Sequence, residues 1–208
     1  MTRLINCNLG DEMSLSSLKK AAIAGAIGCA MMASAASAAS IKITVTNLQG
    51  EGGLSITPLY TAFHNGSFDA FDEGGVASAG LELIAETGMA SAIAAQRTAT
   101  DPNSVGNVLA SPAGPPPIQP GEVVSSVMKL DATGPLFFTF LSMLLPSNDH
   151  FIGNDDALAH QIFGAGGEFL GNQTITVTGD QIYDAGTEAN GLEGSAFVAG
   201  QDLSLIHI

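Results

Sequence analysis

Five carboxylates lie in two short segments: Asp149, Asp155 and Asp156 in LLPSNDHFIGNDDALAHQ (Leu144–Gln161), and Asp184 and Glu188 in IYDAGTEAN (Ile182–Asn190). Each segment follows or interrupts an apolar, β-prone run and mixes its carboxylates with Gly and Asn, the composition of a sandwich-end loop that gathers oxygen ligands. Hard cations such as calcium take six to eight such oxygens at roughly 2.3 to 2.6 Å. The spacing is not that of an EF-hand loop, so the same residues also fit plain turn chemistry, with Asp184 and Asn154 bonding their own backbone. A mixed site in which His150 and His160 join Asp149 around zinc is a further option, although thiol-free, carboxylate-rich surroundings suit a hard cation better.

Other chemistry finds little support. The chain has no Gly-x-Ser-x-Gly elbow, no His-Glu-x-x-His and no Gly-rich phosphate loop. Asp155 and Asp156 have the composition of a general acid/base pair, but adjacent residues on one loop point apart, and His64 in HNGSF suits a hydrogen-bonded turn better than a base. No enzyme is expected. The alternatives kept open are an extracellular polymer hydrolase working through the acidic loop cluster and a purely structural domain of a longer surface protein.

The 208 residues suit one domain plus a targeting segment, and 46% apolar residues are ample for one core. A net charge of −14 on only 12% charged residues leaves the acidic groups almost unopposed, which argues against binding nucleic acid or an anionic membrane. Residues 1–38 read as a secretory signal: Lys19 and Lys20 are the basic start, Ala21–Met32 is an apolar stretch too short to span a bilayer, and Ala36-Ser37-Ala38 suits a signal peptidase. Cleavage after Ala38 is expected. Asp11 and Glu12 suit an n-region poorly, which makes Met13 a candidate true start and sets residues 1–12 outside the fold. Both cysteines, Cys7 and Cys29, fall in the removed part, so neither a disulfide nor a cysteine metal site is expected in the mature chain. The mature chain has no transmembrane segment. At the other end, Leu203–Ile208 reads as a translated sequencing adapter on a domain that is cut short, so the domain is placed at residues 39–202.

The elements that must position the carboxylates are mostly strands. Lys42–Asn47 alternates Ile43 and Val45 against Thr44 and Thr46, and Gln173–Thr178 alternates Ile175 and Val177 against three threonines. Leu54–Tyr60 and Glu122–Leu130 read similarly, while Leu136–Leu145 is apolar on both faces and fits a central strand covered on each side, with a buried helix as the competing reading. Val76–Gln96 has Leu81, Ile84 and Ala85 at helical spacing, Ser78 near its start and Gly88 to split it in two. Thr98–Gly121 holds six of the nine prolines and reads as an extended loop. The fold class is an antiparallel β-sandwich with a short helical insertion.

The two acidic segments also resemble the signature loops of the spondin N-terminal domain, the module of F-spondin, mindin and many bacterial secreted proteins. There the first loop reads roughly Pro-Ser-x-Asp-aromatic-Phe-Val-Gly-x-Asp and the second Tyr-Asp-Ala-Gly-Thr-Asp/Glu; here the chain has PSNDHFIGND from Pro146 and YDAGTE from Tyr183. The similarity extends upstream through Ile43–Gly88, with its Thr-Pro strand, its His-Asn-Gly-x-Phe turn and its Gly-x-x-Ala-Ser helix start. His150 stands where animal members have Trp, and Glu188 where they have Asp. The resemblance implies eight strands and two loops that hold a metal ion at one end, with Asp149, Asp155 and Asp184 as ligands and Glu188 as a fourth. It further implies a secreted or cell-surface adhesion module of bacterial type that uses calcium to stiffen the loops recognising an extracellular protein or glycan.

Overall fold

The computed structural model describes residues 3–11, 38–112 and 117–188. Eleven strands occur among them: β1 Arg3–Asp11, β2 Ala39–Asn47, β3 Ser55–Ile56, β4 Leu59–His64, β5 Val105–Leu109, β6 Val123–Leu130, β7 Leu136–Leu145, β8 His150–Gly153, β9 Gln161–Phe163, β10 Gln173–Thr178 and β11 Ile182–Asp184. Two helices, α1 Ala79–Thr87 and α2 Ser91–Thr100, are inserted between β4 and β5. Every strand pairing is antiparallel. One sheet runs β10-β1-β2-β6; the other runs β11-β8-β7-β4-β5, with β3 and β9 also pairing β7.

Alternation decides which sheet face is buried. On β2, Ile41, Ile43 and Val45 are fully buried while Lys42 is exposed, and on β6, Val124, Met128 and Leu130 point inward while Val123, Ser125, Val127 and Lys129 face out. These side chains meet Phe63, Phe138, Phe140 and Ile152 of the second sheet in one core. The opposite face of the second sheet carries a separate apolar layer, in which Tyr60, Leu141 and Phe151 pack against Leu81 and Ile84 of α1 and Ile93 of α2. β7 therefore lies between two apolar layers, which is why it reads as an unbroken apolar run rather than an alternation.

Helix α1 begins and ends where its chemistry dictates. Ser78 caps α1 by accepting the Leu81 N–H (3.2 Å), and Gly88 closes it at φ 71, in the left-handed region that only glycine enters freely, with its own N–H on the Ile84 carbonyl (2.9 Å). A Cβ at Gly88 would lie 2.7 Å from Thr57 Cβ, so the cap also allows the helix to approach β3 closely. His64 fixes its turn as expected: Nδ1 accepts the Gly66 N–H (3.1 Å), which leaves Nε2 to carry the proton and donate to Thr139 Oγ1 (2.9 Å) on β7.

Several elements depart from the sequence reading. Leu54–Tyr60 is not one strand, because Thr57 and Pro58 separate β3 from β4, and the expected proline-rich loop contains β5, paired along its length with β4. The first acidic segment holds β8 and ends where β9 begins, the second holds β11, and the described residues contain eleven strands where about eight are expected. Residues 1–12, set aside as outside the fold, supply β1; Cys7 and Leu9 on it are buried, and burial holds the Cys7 thiol up at about 12. The expected signal sequence beyond β1 and the adapter-like tail lie outside the described residues.

Candidate metal centre

The site starts at the turn between β7 and β8. The Ser147 hydroxyl donates to the Leu144 carbonyl (2.6 Å) and accepts the His150 N–H (3.2 Å), so the chain reverses tightly and enters β8 with Asp149 and His150 at its tip. β11 lies against β8 in a register that sets Asp184 opposite His150. Directly opposed residues hold their Cβ atoms about 4.5 to 5.5 Å apart. One strand pairing thus joins the two acidic segments.

Asp149 is fully buried, and the second segment wraps around it. Its Oδ2 accepts the N–H groups of Thr187 and Glu188, both at 3.1 Å, and its carbonyl accepts the Ala185 N–H (3.2 Å). Asp184 Oδ1 accepts the Gly186 N–H (2.7 Å), in a turn that needs φ 65 at Gly186. Asp149 Oδ1 and His150 Nδ1 stand 3.6 Å apart, too far for a hydrogen bond to each other, and both are buried without another hydrogen-bond partner, as is Thr187 Oγ1. A carboxylate oxygen of Asp184 completes a set of three ligand atoms that all lie within 4.8 Å of one another.

This geometry suits a cation better than it suits protein alone. Each buried polar atom without a partner costs about 1–3 kcal/mol. Two ligands about 2.1–2.5 Å from one ion, at tetrahedral or octahedral angles, lie roughly 3–4 Å apart, which matches the separation of Asp149 Oδ1 from His150 Nδ1. The orphaned atoms therefore fit a divalent ion as shared ligands.

Of the four residues taken as ligands from the sequence, Asp149 and Asp184 come together here and two do not. Asp155 turns away to accept the Glu73 N–H (2.5 Å), and Glu188 is exposed and reaches Asp149 through its backbone N–H, not its carboxylate. Asp156 accepts the Leu158 N–H (2.7 Å), as a turn residue does. His150 joins Asp149 and Asp184 in the group that could hold an ion. Its signal in the sequence was adjacency to Asp149 at a strand start, and the second half of the signal, the register with Asp184, is tertiary. His160 is half-buried and stacked on Phe140 (centroids 6.2 Å apart), where burial lowers its pKa from the ordinary 6.5, and it does not join the Asp149 group.

Beside Asp184 opens a cavity of about 250 Å³ lined by Phe71, Phe151 and Tyr183, with Asp72 and Glu73 at its edge. Phe71 meets Phe151 and Tyr183 edge-on at 4.9 and 4.8 Å, a rigid aromatic wall. Burial raises the Tyr183 pKa above 10, with Asp155 and Glu73 adding to it by like-charge repulsion.

A family model described as Spondin_N matches residues 53–199. The chain belongs to the spondin N-terminal domain family. That match covers both acidic segments and most of the two-sheet core, and it confirms the relationship read from PSNDHFIGND and YDAGTE. Spondin N-terminal domains are extracellular, non-enzymatic modules. No curated protein and no solved structure matches the chain. Among the described residues no helix is long and apolar enough to cross a membrane.

Proposed function

We propose that this spondin domain is an exported binding module whose ligand-recognising end is stiffened by a divalent cation held by Asp149, His150 and Asp184. The observation that carries this reading is the pair of buried, unpartnered atoms, Asp149 Oδ1 and His150 Nδ1, facing one another with an Asp184 oxygen close by. Such a cation fixes the β7–β8 turn against the loop after β11, and the aromatic cavity beside Asp184 then has a fixed edge. The ligand class is an extracellular protein or glycan, the role is adhesion, and the hydrolase reading loses support because Asp155 and Asp156 are engaged by backbone N–H groups. Export follows the leader expected over residues 1–38, with cleavage after Ala38; mass spectrometry of the secreted product should give Ala39 as its first residue, and any other N-terminus would overturn it.

Calcium is the cation expected from the carboxylates. The His150 nitrogen favours a second reading, a borderline ion such as zinc, which accepts mixed imidazole and carboxylate ligands. Thermal unfolding in chelator, calcium and zinc tests both. An ion that binds only the folded chain adds about 2.7 kcal/mol at one hundred times its dissociation constant. A melting temperature that rises by several degrees with calcium alone supports the first reading, a rise confined to zinc supports the second, and no rise with either removes the cation.

A further inference from the structure

Strand β1 is held by main-chain pairing with two neighbours, by the Gln49 side-chain amide, which donates to the Arg3 carbonyl (3.0 Å), and by the inward side chains of Cys7 and Leu9. Ile5–Asp11 pairs with Asn47–Ile41 of β2, and Leu9–Ile5 pairs with Gln173–Val177 of β10, both antiparallel, so β2 and β10 run parallel to one another with β1 between them. Beneath it, Cys7 and Leu9 are buried among Ile43, Val45 and Ile175. Antiparallel neighbours are ordinarily joined by a hairpin of two to five residues. Here residues 12–38 intervene, and the cleavage expected after Ala38 lies between β1 and β2.

Removal of residues 1–38 takes this strand out of the middle of the sheet. What remains is two facing strand edges about two strand spacings apart, roughly 9.5 Å, flanked by the inward apolar side chains Ile41, Ile43 and Val45 of β2 and Ile175 and Val177 of β10. Both edges carry unpaired N–H and C=O groups, a template for another strand. We propose that this slot is a strand-acceptor site, and that β1 shows what fills it: an extended segment of a separate polypeptide, antiparallel to both edges, with medium-sized apolar residues at alternate positions. The ladder supplies affinity and the inward positions of Cys7 and Leu9 supply selectivity. The inference rests on the export reading only for the opening of the slot.

The probe is the synthetic nine-residue peptide RLINCNLGD, fluorescently labelled, with a second peptide carrying Leu9→Asp. Added to the secreted chain that begins at Ala39, the first peptide is expected to bind saturably at one per chain and to raise the melting temperature, and the second to bind at least tenfold more weakly. A folded chain that binds neither peptide, or binds both equally, overturns the proposal, because the slot is then closed by direct contact of β2 with β10 or holds no defined strand. If the product keeps residues 1–38, or if the shortened chain does not fold, the full chain is cut at a protease site placed within residues 12–38. Exchange of its first fragment for labelled peptide supports an acceptor slot, and failure to exchange during reversible partial unfolding overturns it. The N-terminus of the secreted product is read separately, so the export reading can fail while the slot stands.

Discussion

His64 ends β4 and is buried beside β7, and burial brings its pKa from 6.5 down to about 4, with Asp101 opposing the shift and Arg97 adding to it. The folded chain therefore binds fewer protons than the unfolded chain between these values, and the neutral ring's contribution is whole above 6.5 and lost as pH falls toward 4. A shift of this size corresponds to on the order of 3 kcal/mol. Melting curves from pH 7 to pH 4 should fall with that window, and His64→Gln should flatten part of the fall; His160, shifted in the same direction, accounts for some of the rest. Unchanged slopes would show that the ring is not the titrating group. At the candidate centre, Asp149→Asn keeps an acceptor for the Thr187 and Glu188 N–H groups but weakens the cation ligand. It should abolish the metal-induced rise in melting temperature while moving the metal-free value little. Asp149→Ala also strands two donors and should cost about 1–3 kcal/mol for each one left buried, even in chelator. His150→Gln separates the ions, because a calcium response should survive it and a zinc response should not.

The strands that were legible are those whose burial follows their own alternation. β2, β6, β7 and β10 were placed within a few residues, and the helix pair was placed by its apolar spacing, with the break at Gly88. β5, β8, β9 and β11 were not, since strands of three to five residues bounded by Gly, Asn and Asp carry too few periods to read and are held by neighbours distant in sequence. The same reason limited the site. Composition pointed to the two loops that meet and to Asp149 and Asp184, but only pairing of β8 with β11 sets His150, rather than Asp155, beside Asp184. Two substitutions test the element scale. Val177→Asp places a charge in the core between the sheets and should prevent folding, whereas Thr176→Asp on the half-exposed face should be tolerated; circular dichroism and solubility separate the two. Gly88→Ala should cost more than the roughly 1 kcal/mol expected from a left-handed residue alone, because its Cβ meets Thr57, and chemical denaturation measures that excess.

At the scale of the molecule, a net charge of −14 makes the compact state repel itself. Raising monovalent salt should stabilise the chain modestly at neutral pH, and a divalent ion at matched ionic strength should exceed that effect if the centre binds it; melting temperatures in the two series make the comparison. The route by which the chain reaches this state follows from the topology. β2 finds β6, β4 finds β7 and β1 finds β10 only across long stretches of sequence, the condition for folding in milliseconds to seconds rather than microseconds. The hairpin of β7 and β8 is an exception, closed by the short turn of residues 146–149. Its loop entropy is small, so it can form early, and its tip carries Asp149 and His150. Pulse-labelled hydrogen exchange during refolding should find its amides protected ahead of those shared by β2 and β6. Two of the three candidate ligands would then be assembled before the two sheets have met, and the arrival of Asp184 on β11 would be the step at which a metal ion in the refolding buffer begins to slow unfolding.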